Sequence, residues 1–185
     1  MVQKQQVVLQ TLHCLPIIGL LVEDARTAFE RDPCATHPLE VLLYPGLHAL
    51  WVHRFANVLH ERGQIWLSRL CSQLSRLLRG VDIHPASDIG RRVFIDHAIG
   101  VIIGETGEIG DDVLIYHGVT LGSKNITEGK RHSSVHDGLT LGANATLLGL
   151  ITIGKDATIG AGAVVVDDVS VGATVAGIPA ERVDS

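Results

Sequence analysis

The chain has 185 residues and a formal net charge of −5, which is enough for one large domain or for a small domain with an extension. The negative balance excludes a broad basic surface for nucleic acid, and no apolar run is long enough to span a membrane. The start of the chain has no signal-peptide pattern, and the three scattered cysteines fit neither a disulfide framework nor a zinc site, so we expect free thiols and a cytoplasmic location: Cys14, Cys34 and Cys71.

Residues 1–80 are predicted to form an α-helical N-terminal domain. A first apolar stripe is made by Val7, Val8 and Leu12. After a break at residues 16–19, a second helix is predicted for residues 20–31. It ends there because a residue that precedes a proline, here Asp32, is pushed out of the α region.

Two more helices are expected before residue 80. Pro38 suits the first turn of a third helix, which bends at Pro45-Gly46 and stops at Gly63. A fourth helix is predicted from Gln64 to Arg79. Its apolar side chains are expected to face inward: Ile65, Leu67, Leu70, Leu74, Leu77 and Leu78.

From Val81 onward, small aliphatic residues return every six positions. This period fits neither an amphipathic helix nor a flat strand, and it is typical of a parallel β-helix in which each hexapeptide supplies one short strand and a corner. A core of stacked aliphatic side chains needs few aromatic residues, and these make up only 4% of the chain. We therefore predict an α+β protein whose second domain, residues 81–185, is this solenoid. The repeating positions are Ile83, Ile89, Ile95, Val101, Ile109, Ile115, Leu121, Val135, Leu141, Leu147, Ile153, Ile159, Val165 and Val171.

The repeat is interrupted twice. It restarts two residues out of step at Ile103, which indicates a bulge or a widened corner. It stops again after Leu121, where residues 123–134 form a polar insertion that is predicted to protrude from one corner as a loop. Elsewhere, Glu105 is expected to be a solvated corner charge and Asn144 a corner residue with left-handed backbone.

Three short clusters could carry chemistry. Asp82 and Asp96 are fourteen residues apart, which is most of one turn of an eighteen-residue coil, so His97 is expected close to Asp82. A carboxylate that accepts a hydrogen bond from one imidazole nitrogen leaves the other free to act as a base. The third cluster, Arg131-His132, lies in the insertion.

Several segments, taken in order, closely resemble the serine O-acetyltransferase family. The resemblance runs from about residue 31 to residue 183. It implies that the solenoid is left-handed, and that the protein transfers an acetyl group from acetyl-CoA to the hydroxyl of L-serine by direct transfer, as the first step of cysteine biosynthesis. The segments are Glu30-Arg31-Asp32-Pro33, Tyr44-Pro45-Gly46-Leu47-His48-Ala49, Val81-Asp82-Ile83-His84-Pro85-Ala86, Ile95-Asp96-His97-Ala98-Ile99-Gly100, Gly104-Glu105-Thr106 and Arg131-His132.

The resemblance also implies roles for individual residues. His97 matches the general base and Asp82 the carboxylate that orients it. Asp32 and Asp96 match the groups that receive the serine ammonium. Arg131 and His132 match the pair that faces the serine carboxylate, and His132 is counted with the catalytic residues; a guanidinium is suited to binding a carboxylate through two parallel hydrogen bonds.

Acetyl-CoA is implied as co-substrate, with no metal ion. It is expected between neighbouring coils of a homotrimer, and whether trimers pair stays open. The family's Gly-Gly and Arg-His-Pro are replaced here by Gly122-Ser123 and Arg131-His132-Ser133, and the short C-terminus argues against a complex with cysteine synthase. The residues expected to contact acetyl-CoA are Gly122, Ser123, Ala143, Ala161 and Arg182. A backbone N–H near Gly122 or Ser123 is expected to stabilise the oxyanion.

Other functions are compatible with a hexapeptide solenoid, because a fold alone does not assign an activity. The acceptor could be a sugar or another amino acid, or the protein could be a trimeric scaffold without catalysis. A γ-type carbonic anhydrase would bind zinc through histidines shared between subunits, but it leaves Asp82 and the helical N-terminus unexplained. The histidines available for that site are His97, His117, His132 and His136.

Overall fold

The computed structural model describes residues 17–183, which begin with three α-helices. The apolar stripe predicted at Val7, Val8 and Leu12 lies outside the described residues. No helix within residues 17–183 combines the length and the apolar character needed to cross a membrane. The helical elements are α1 (Ile17–Arg31), a 3₁₀ helix (Glu40–Leu43), α2 (Pro45–Glu61) and α3 (Ile65–Arg79).

Two of the predicted helix boundaries were wrong. In the described part of the chain, α1 begins at Ile17, so Gly19 lies inside the helix. A continuous helix from Pro38 does not form either; the 3₁₀ helix is followed by a new helix at Pro45. Tyr44, which precedes the proline, is extended (φ −72°, ψ 125°), and Pro45 has no N–H to continue a helix from the residues before it.

The predicted orientation of the fourth helix, α3, was also wrong. Its buried side chains are Ser68, Ser72 and Ser75, and all six apolar residues expected to face inward are exposed, with Leu77 at 79%. Small serines let α3 pack closely on α2, and the hydroxyl of Ser72 donates to the carbonyl of Arg69 at 3.0 Å. The helix ends as predicted, at Gly80 in the left-handed conformation (φ 69°).

Within residues 17–183, fifteen short strands follow the helices, and each of them has two or three residues. They are β1 (Asp82–Ile83), β2 (Asp88–Ile89), β3 (Phe94–Ile95), β4 (Ile102–Ile103), β5 (Glu108–Ile109), β6 (Leu114–Ile115), β7 (Thr120–Gly122), β8 (Ser134–Val135), β9 (Thr140–Leu141), β10 (Thr146–Leu148), β11 (Thr152–Ile153), β12 (Thr158–Ile159), β13 (Val164–Val165), β14 (Thr174–Ala176) and β15 (Glu181–Arg182).

The strands stack into three sheets, and each of the first four turns of the solenoid adds one strand to every sheet. The first sheet has the order β1-β4-β7-β10-β13, the second β2-β5-β8-β11, and the third β3-β6-β9-β12-β14-β15. All pairs are parallel except β14 with β15, which is antiparallel. This is the predicted architecture of helices followed by a left-handed parallel β-helix.

The register of the first sheet locates both interruptions of the repeat. Thr146 pairs with Val164, eighteen residues later, which is the regular coil. Asp82 pairs with Ile102, twenty residues later, so the first coil has two extra residues. Thr120 pairs with Thr146, twenty-six residues later, because the insertion lies between β7 and β8. Both interruptions are therefore at corners, and the strands stay in register.

The core of the solenoid is a column of the predicted aliphatic residues, with one exception. The positions from Ile83 to Val165 are buried, and each stacks on its equivalent in the next coil, as Ile103 does on Leu121. Val171 was expected inside but is 72% exposed. Val169 takes the inward place, because it pairs with Ile153 only sixteen residues earlier, in a shortened last coil.

The helices and the first coil share buried contacts. Leu50 of α2 belongs to the same buried cluster as the solenoid core. The guanidinium of Arg54 forms a buried ion pair with Asp24 of α1, at 2.7 and 2.8 Å, and also donates to the carbonyls of Ile89 and Gly90 after β2. The helical segment is thus fixed against the coil that carries the first site residues.

Candidate active site

Two edges of the first sheet hold the residues singled out from the sequence. The His97 edge consists of the corners that follow β3, β6, β9 and β12, and its corners stack through hydrogen bonds such as Asn144 N–H to the His117 carbonyl, at 2.8 Å. The His132 edge consists of the corners that follow β1, β4 and β7, the last of which contains the insertion. Asn144 has the left-handed backbone predicted for it (φ 59°).

His97 lies on the widened corner that contains the two extra residues. His97 and Ala98 both have positive φ, 58° and 64°, and within residues 17–183 they are the only two consecutive residues with this conformation. The left-handed region costs a non-glycine residue about 1–2 kcal/mol, and such backbone strain is concentrated at functional sites. Ala98 is buried, whereas the side chain of His97 is 71% exposed, so the corner raises the imidazole off the solenoid.

Two carboxylates and a second imidazole surround His97. Its Nε2 is 3.6 Å from Oδ2 of Asp96, and its ring lies edge-on to that of His117, with centroids 5.8 Å apart. Asp32 is in the segment after α1, and the charge of His97 is the last of the causes that lower the pKa of Asp32. Asp96 is therefore on the same edge as the predicted base, and Asp32 comes from the helical segment.

Asp32 is held by a phenol and a backbone N–H. The hydroxyl of Tyr44 donates a short hydrogen bond to Oδ2, and the N–H of Cys34 donates to Oδ1 at 2.8 Å. These donors, Tyr44 first, lower the pKa of Asp32, and the same bond raises the pKa of Tyr44 to about 12. Asp32 is therefore an anion at neutral pH. Tyr44 had no role in the sequence analysis, although it stands in one of the segments that resemble the family.

Asp82 does not contact His97 in this chain. Among the described residues, no hydrogen bond joins the two side chains, and Oδ2 of Asp82 is instead 3.3 Å from Nη1 of Arg76 at the end of α3. Asp82 begins β1 directly after the α3 cap and pairs with Ile102, so it lies in the same coil as His97. The orienting role of Asp82 stays a prediction.

The His132 edge is built around Gly104, Glu105 and Thr106. Glu105 lies at a corner with its side chain 43% exposed, as expected for a solvated charge, and it also forms an ion pair with Arg131 whose hydrogen bond lowers the pKa of the Glu105 carboxyl. The hydroxyl of Thr106 contacts both Arg131 and His132. Neither Glu105 nor Thr106 was expected to support the substrate-binding residues, and the signal for them was their place in the Gly104-Glu105-Thr106 segment.

The expected acetyl-CoA contacts are divided between the two edges. Ala143 and Ala161 follow β9 and β12 on the His97 edge, where the N–H of Gly162 donates to the Ala143 carbonyl at 2.8 Å. Gly122 and Ser123 begin the insertion on the His132 edge. Arg182 is in β15, beyond the last coil, and pairs with Val175. A single chain therefore does not bring the five contacts together.

The histidines of the zinc alternative are likewise apart. His97 and His117 share one edge, His132 is on the other, and His136 follows β8 in the second sheet. Within residues 17–183 no three histidine, cysteine or acidic side chains are grouped as metal ligands.

The chain is similar in sequence to serine acetyltransferases from several bacteria. It is 55% identical to the enzyme of Mycobacterium tuberculosis over 159 residues, which cover 85% of this chain and 69% of that protein. It is 50% identical to the enzyme of Helicobacter pylori strain J99 over 155 residues, which cover 83% of this chain and 91% of that protein.

Solved structures agree with the sequence similarity. Serine acetyltransferase of Brucella abortus strain S19 in complex with coenzyme A superimposes with a TM-score of 0.87 at 37% identity, over 90% of this chain and 67% of that chain. The soybean enzyme complexed with serine gives a TM-score of 0.87 at 42% identity, over 90% and 69%. No model of a protein family matches the chain. The identities to the curated relatives, over most of both sequences, show that the chain belongs to the serine acetyltransferase family.

Proposed function

We propose that the protein catalyses the transfer of an acetyl group from acetyl-CoA to the hydroxyl of L-serine, which gives O-acetylserine and CoA. The observation that carries this proposal is the exposed imidazole of His97, on a strained corner beside two carboxylates, in a chain 55% identical to a serine acetyltransferase. The product is the activated serine from which cysteine is made.

His97 is assigned the role of general base. It takes the proton of the serine hydroxyl while the oxygen attacks the thioester carbonyl, and the resulting imidazolium gives that proton to the departing CoA sulfur when the C–S bond breaks. The carboxyl groups of Asp96, which lies beside the ring, and of Asp32, whose pKa is lowered, are assigned to hold the serine ammonium. The assignment of Asp82 as the orienting carboxylate would require its side chain to leave Arg76.

The carbonyl oxygen of the thioester gains negative charge during the attack, and a backbone N–H near Gly122 or Ser123 is proposed to stabilise it. The N–H of Ser123 donates no hydrogen bond within residues 17–183, which supports this assignment. Acetyl-CoA would extend from there toward Ala143, Ala161 and Arg182.

The proposal places the site between neighbouring protomers of a homotrimer. Both charged groups of L-serine are on one carbon atom, whereas the His97 edge and the His132 edge of one chain lie on opposite sides of the first sheet, one hexapeptide apart, which spans at most about 20 Å when fully extended. A ring of three would bring the His97 edge of one protomer to the His132 edge of its neighbour, where Arg131 and His132 would hold the serine carboxylate.

The exposed apolar side of α3 supports self-association. Seven neighbouring large apolar side chains of this helix are exposed, and apolar patches of this kind mark sites where proteins associate. The exposed side chains are Ile65, Trp66, Leu67, Leu70, Leu74, Leu77 and Leu78.

The proposal includes a cytoplasmic location and a division of the chain after residue 80. Cys34 and Cys71 are unpaired, as suits a reducing compartment. The last helix ends at Arg79, and the first strand begins at Asp82.

A substrate panel tests the activity. Purified protein and acetyl-CoA are mixed with L-serine, with L-homoserine or with sugars, and the release of CoA thiol is followed. Rapid release with L-serine alone is expected. Release with a sugar but not with L-serine would assign the protein to another hexapeptide acetyltransferase, and no release with any acceptor would contradict the proposal.

A further inference from the structure

The hydroxyl of Thr106 makes three hydrogen bonds where the insertion rejoins the solenoid. Its Oγ1 accepts the backbone N–H of Arg131 at 3.0 Å and that of His132 at 3.1 Å, and it lies 2.8 Å from Nδ1 of His132. A hydroxyl has two lone pairs and one proton. Because both lone pairs accept from the two backbone N–H groups, the hydroxyl can interact with Nδ1 only by donating its proton in a hydrogen bond.

A second donor meets the same imidazole nitrogen. The backbone N–H of Thr106 is directed at Nδ1 of His132 from 3.3 Å. With two donors aimed at it, Nδ1 must act as the acceptor, so a neutral His132 carries its proton on Nε2. Burial, with Arg131 as the next largest cause, lowers the pKa of His132, which favours the neutral ring.

Gly104 completes the support of the ring. A Cβ atom on Gly104 would lie 2.1 Å from Nε2 and 2.2 Å from the neighbouring ring carbon of His132, so the imidazole packs directly on the glycine. Nε2 has no hydrogen-bond acceptor among residues 17–183, and the adjacent Arg131 is paired with Glu105. The edge therefore presents one free N–H donor beside a guanidinium.

We propose that Thr106 is a positioning residue, which holds His132 as the Nε2–H tautomer so that the neutral ring donates one hydrogen bond to the carboxylate of the amino-acid acceptor. The identity of the acceptor rests on the proposed function. The tautomer does not, because it follows from contacts within the chain.

Nuclear magnetic resonance measures the tautomer directly. The protein is labelled with ¹⁵N-histidine, long-range ¹H–¹⁵N correlations are recorded, and the signals absent from a His132→Gln sample identify His132. A protonated Nε2 and an unprotonated Nδ1 are expected near pH 7.5. Thr106→Val should shift or mix the tautomers, Thr106→Ser should restore them, and Thr127→Val, in the exposed part of the same loop, should leave them unchanged.

Kinetics measures what the tautomer does. Since the lost interaction would bind ground state and transition state alike, Thr106→Val should raise KM for L-serine about tenfold with little change in kcat. KM for acetyl-CoA should stay the same, and Thr106→Ser should recover KM for L-serine.

Two results would overturn the role of Thr106: a wild-type His132 protonated on Nδ1, or a Thr106→Val variant with the wild-type His132 signals. If Thr106→Val keeps the tautomer but lowers kcat and raises KM for both L-serine and acetyl-CoA, the substitution has loosened the insertion and Thr106 does not position His132. If the wild-type protein has the expected tautomer but releases no thiol with L-serine, the proposed function fails and the positioning by Thr106 stands.

Discussion

The carboxylates around His97 are held in different ways. Asp96 precedes His97 in the chain, and its Oδ2 lies 3.6 Å from Nε2 of His97. Asp32 follows α1, far away in the sequence, and is held by hydrogen bonds from Tyr44 and Cys34. Within residues 17–183 the exposed side chain of His97 has no comparable hydrogen bonds. The residue proposed as the base is thus positioned by the backbone of its corner more than by side-chain contacts.

Replacement of the base should abolish the activity. His97→Ala removes the group that accepts the serine proton, so kcat should fall by about 10²- to 10⁴-fold. Size-exclusion chromatography with light scattering should show an unchanged oligomer, because the side chain is exposed. Full thiol release by the variant would refute the assigned base.

Tyr44 should control the acid side of the pH profile. The hydrogen bond from Tyr44 is the largest cause that lowers the pKa of Asp32, and the carboxylate form is the one that binds an ammonium. In Tyr44→Phe the pKa of Asp32 should rise toward its usual value, so kcat/KM for L-serine should fall at a higher pH on acidification than it does in the wild type. An acid limb at the same pH in both proteins would show that Asp32 does not set it.

Among the elements, α3 is unusual because the side that it buries carries serines, while its apolar side is exposed. Ser68, Ser72 and Ser75 recur at helical spacing and face α2, while the large apolar residues face away. The close approach depends on the small size of the three side chains.

A larger residue at this contact should destabilise the protein. Ser72→Leu introduces a bulky group into a packed helix interface, which should lower the free energy of unfolding by about 1–3 kcal/mol. Urea denaturation measures the change. Gln73→Leu adds the same side chain at an exposed neighbouring position and should cost much less; equal losses in the two variants would argue against tight packing at Ser72.

Features that depend on local sequence patterns could be predicted, whereas contacts between residues far apart in the chain could not. The six-residue period predicted the strands, the corners and both interruptions, because each of these depends on local alternation. The period failed at Val171, where one corner is shortened. The orientation of α3 was wrong for another reason: helical periodicity shows which side of a helix is apolar but not what covers that side. The bonds of Tyr44 to Asp32 and of Thr106 to His132 join residues that are 12 and 26 positions apart, and no periodic pattern encodes them.

For the whole molecule, the separation of the two edges leads to a test by mixing subunits. His97→Ala and Arg131→Ala protomers should each form inactive homotrimers, because every site in them lacks one group. If each site combines the His97 edge of one protomer with the His132 edge of the next, every trimer that contains both variants should have one complete site, which is about a third of the wild-type sites.

Co-expression with two different affinity tags and sequential purification isolates the mixed trimers, and thiol release with L-serine measures the recovered sites. Activity no greater than that of either variant alone would place both groups of a site in one chain.

The buried guanidinium of Arg54 connects the helices to the first coil. It is paired with Asp24 of α1 and also donates to the carbonyls of Ile89 and Gly90, so separation of the helices from the first coil would remove two acceptors from a buried charged group. Arg54→Met would leave the carboxylate of Asp24 buried without a partner, at a cost of about 3–5 kcal/mol.

Calorimetry should therefore record a single cooperative transition for the wild-type chain. In Arg54→Met the transition should move to lower temperature, with the helices melting before the solenoid. Two separate transitions in the wild type would show that the parts before and after residue 80 are independent. A single transition would instead show that the helices unfold together with the first coil, which also carries His97, so that a loss of structure in the helices would reach the residue proposed as the base.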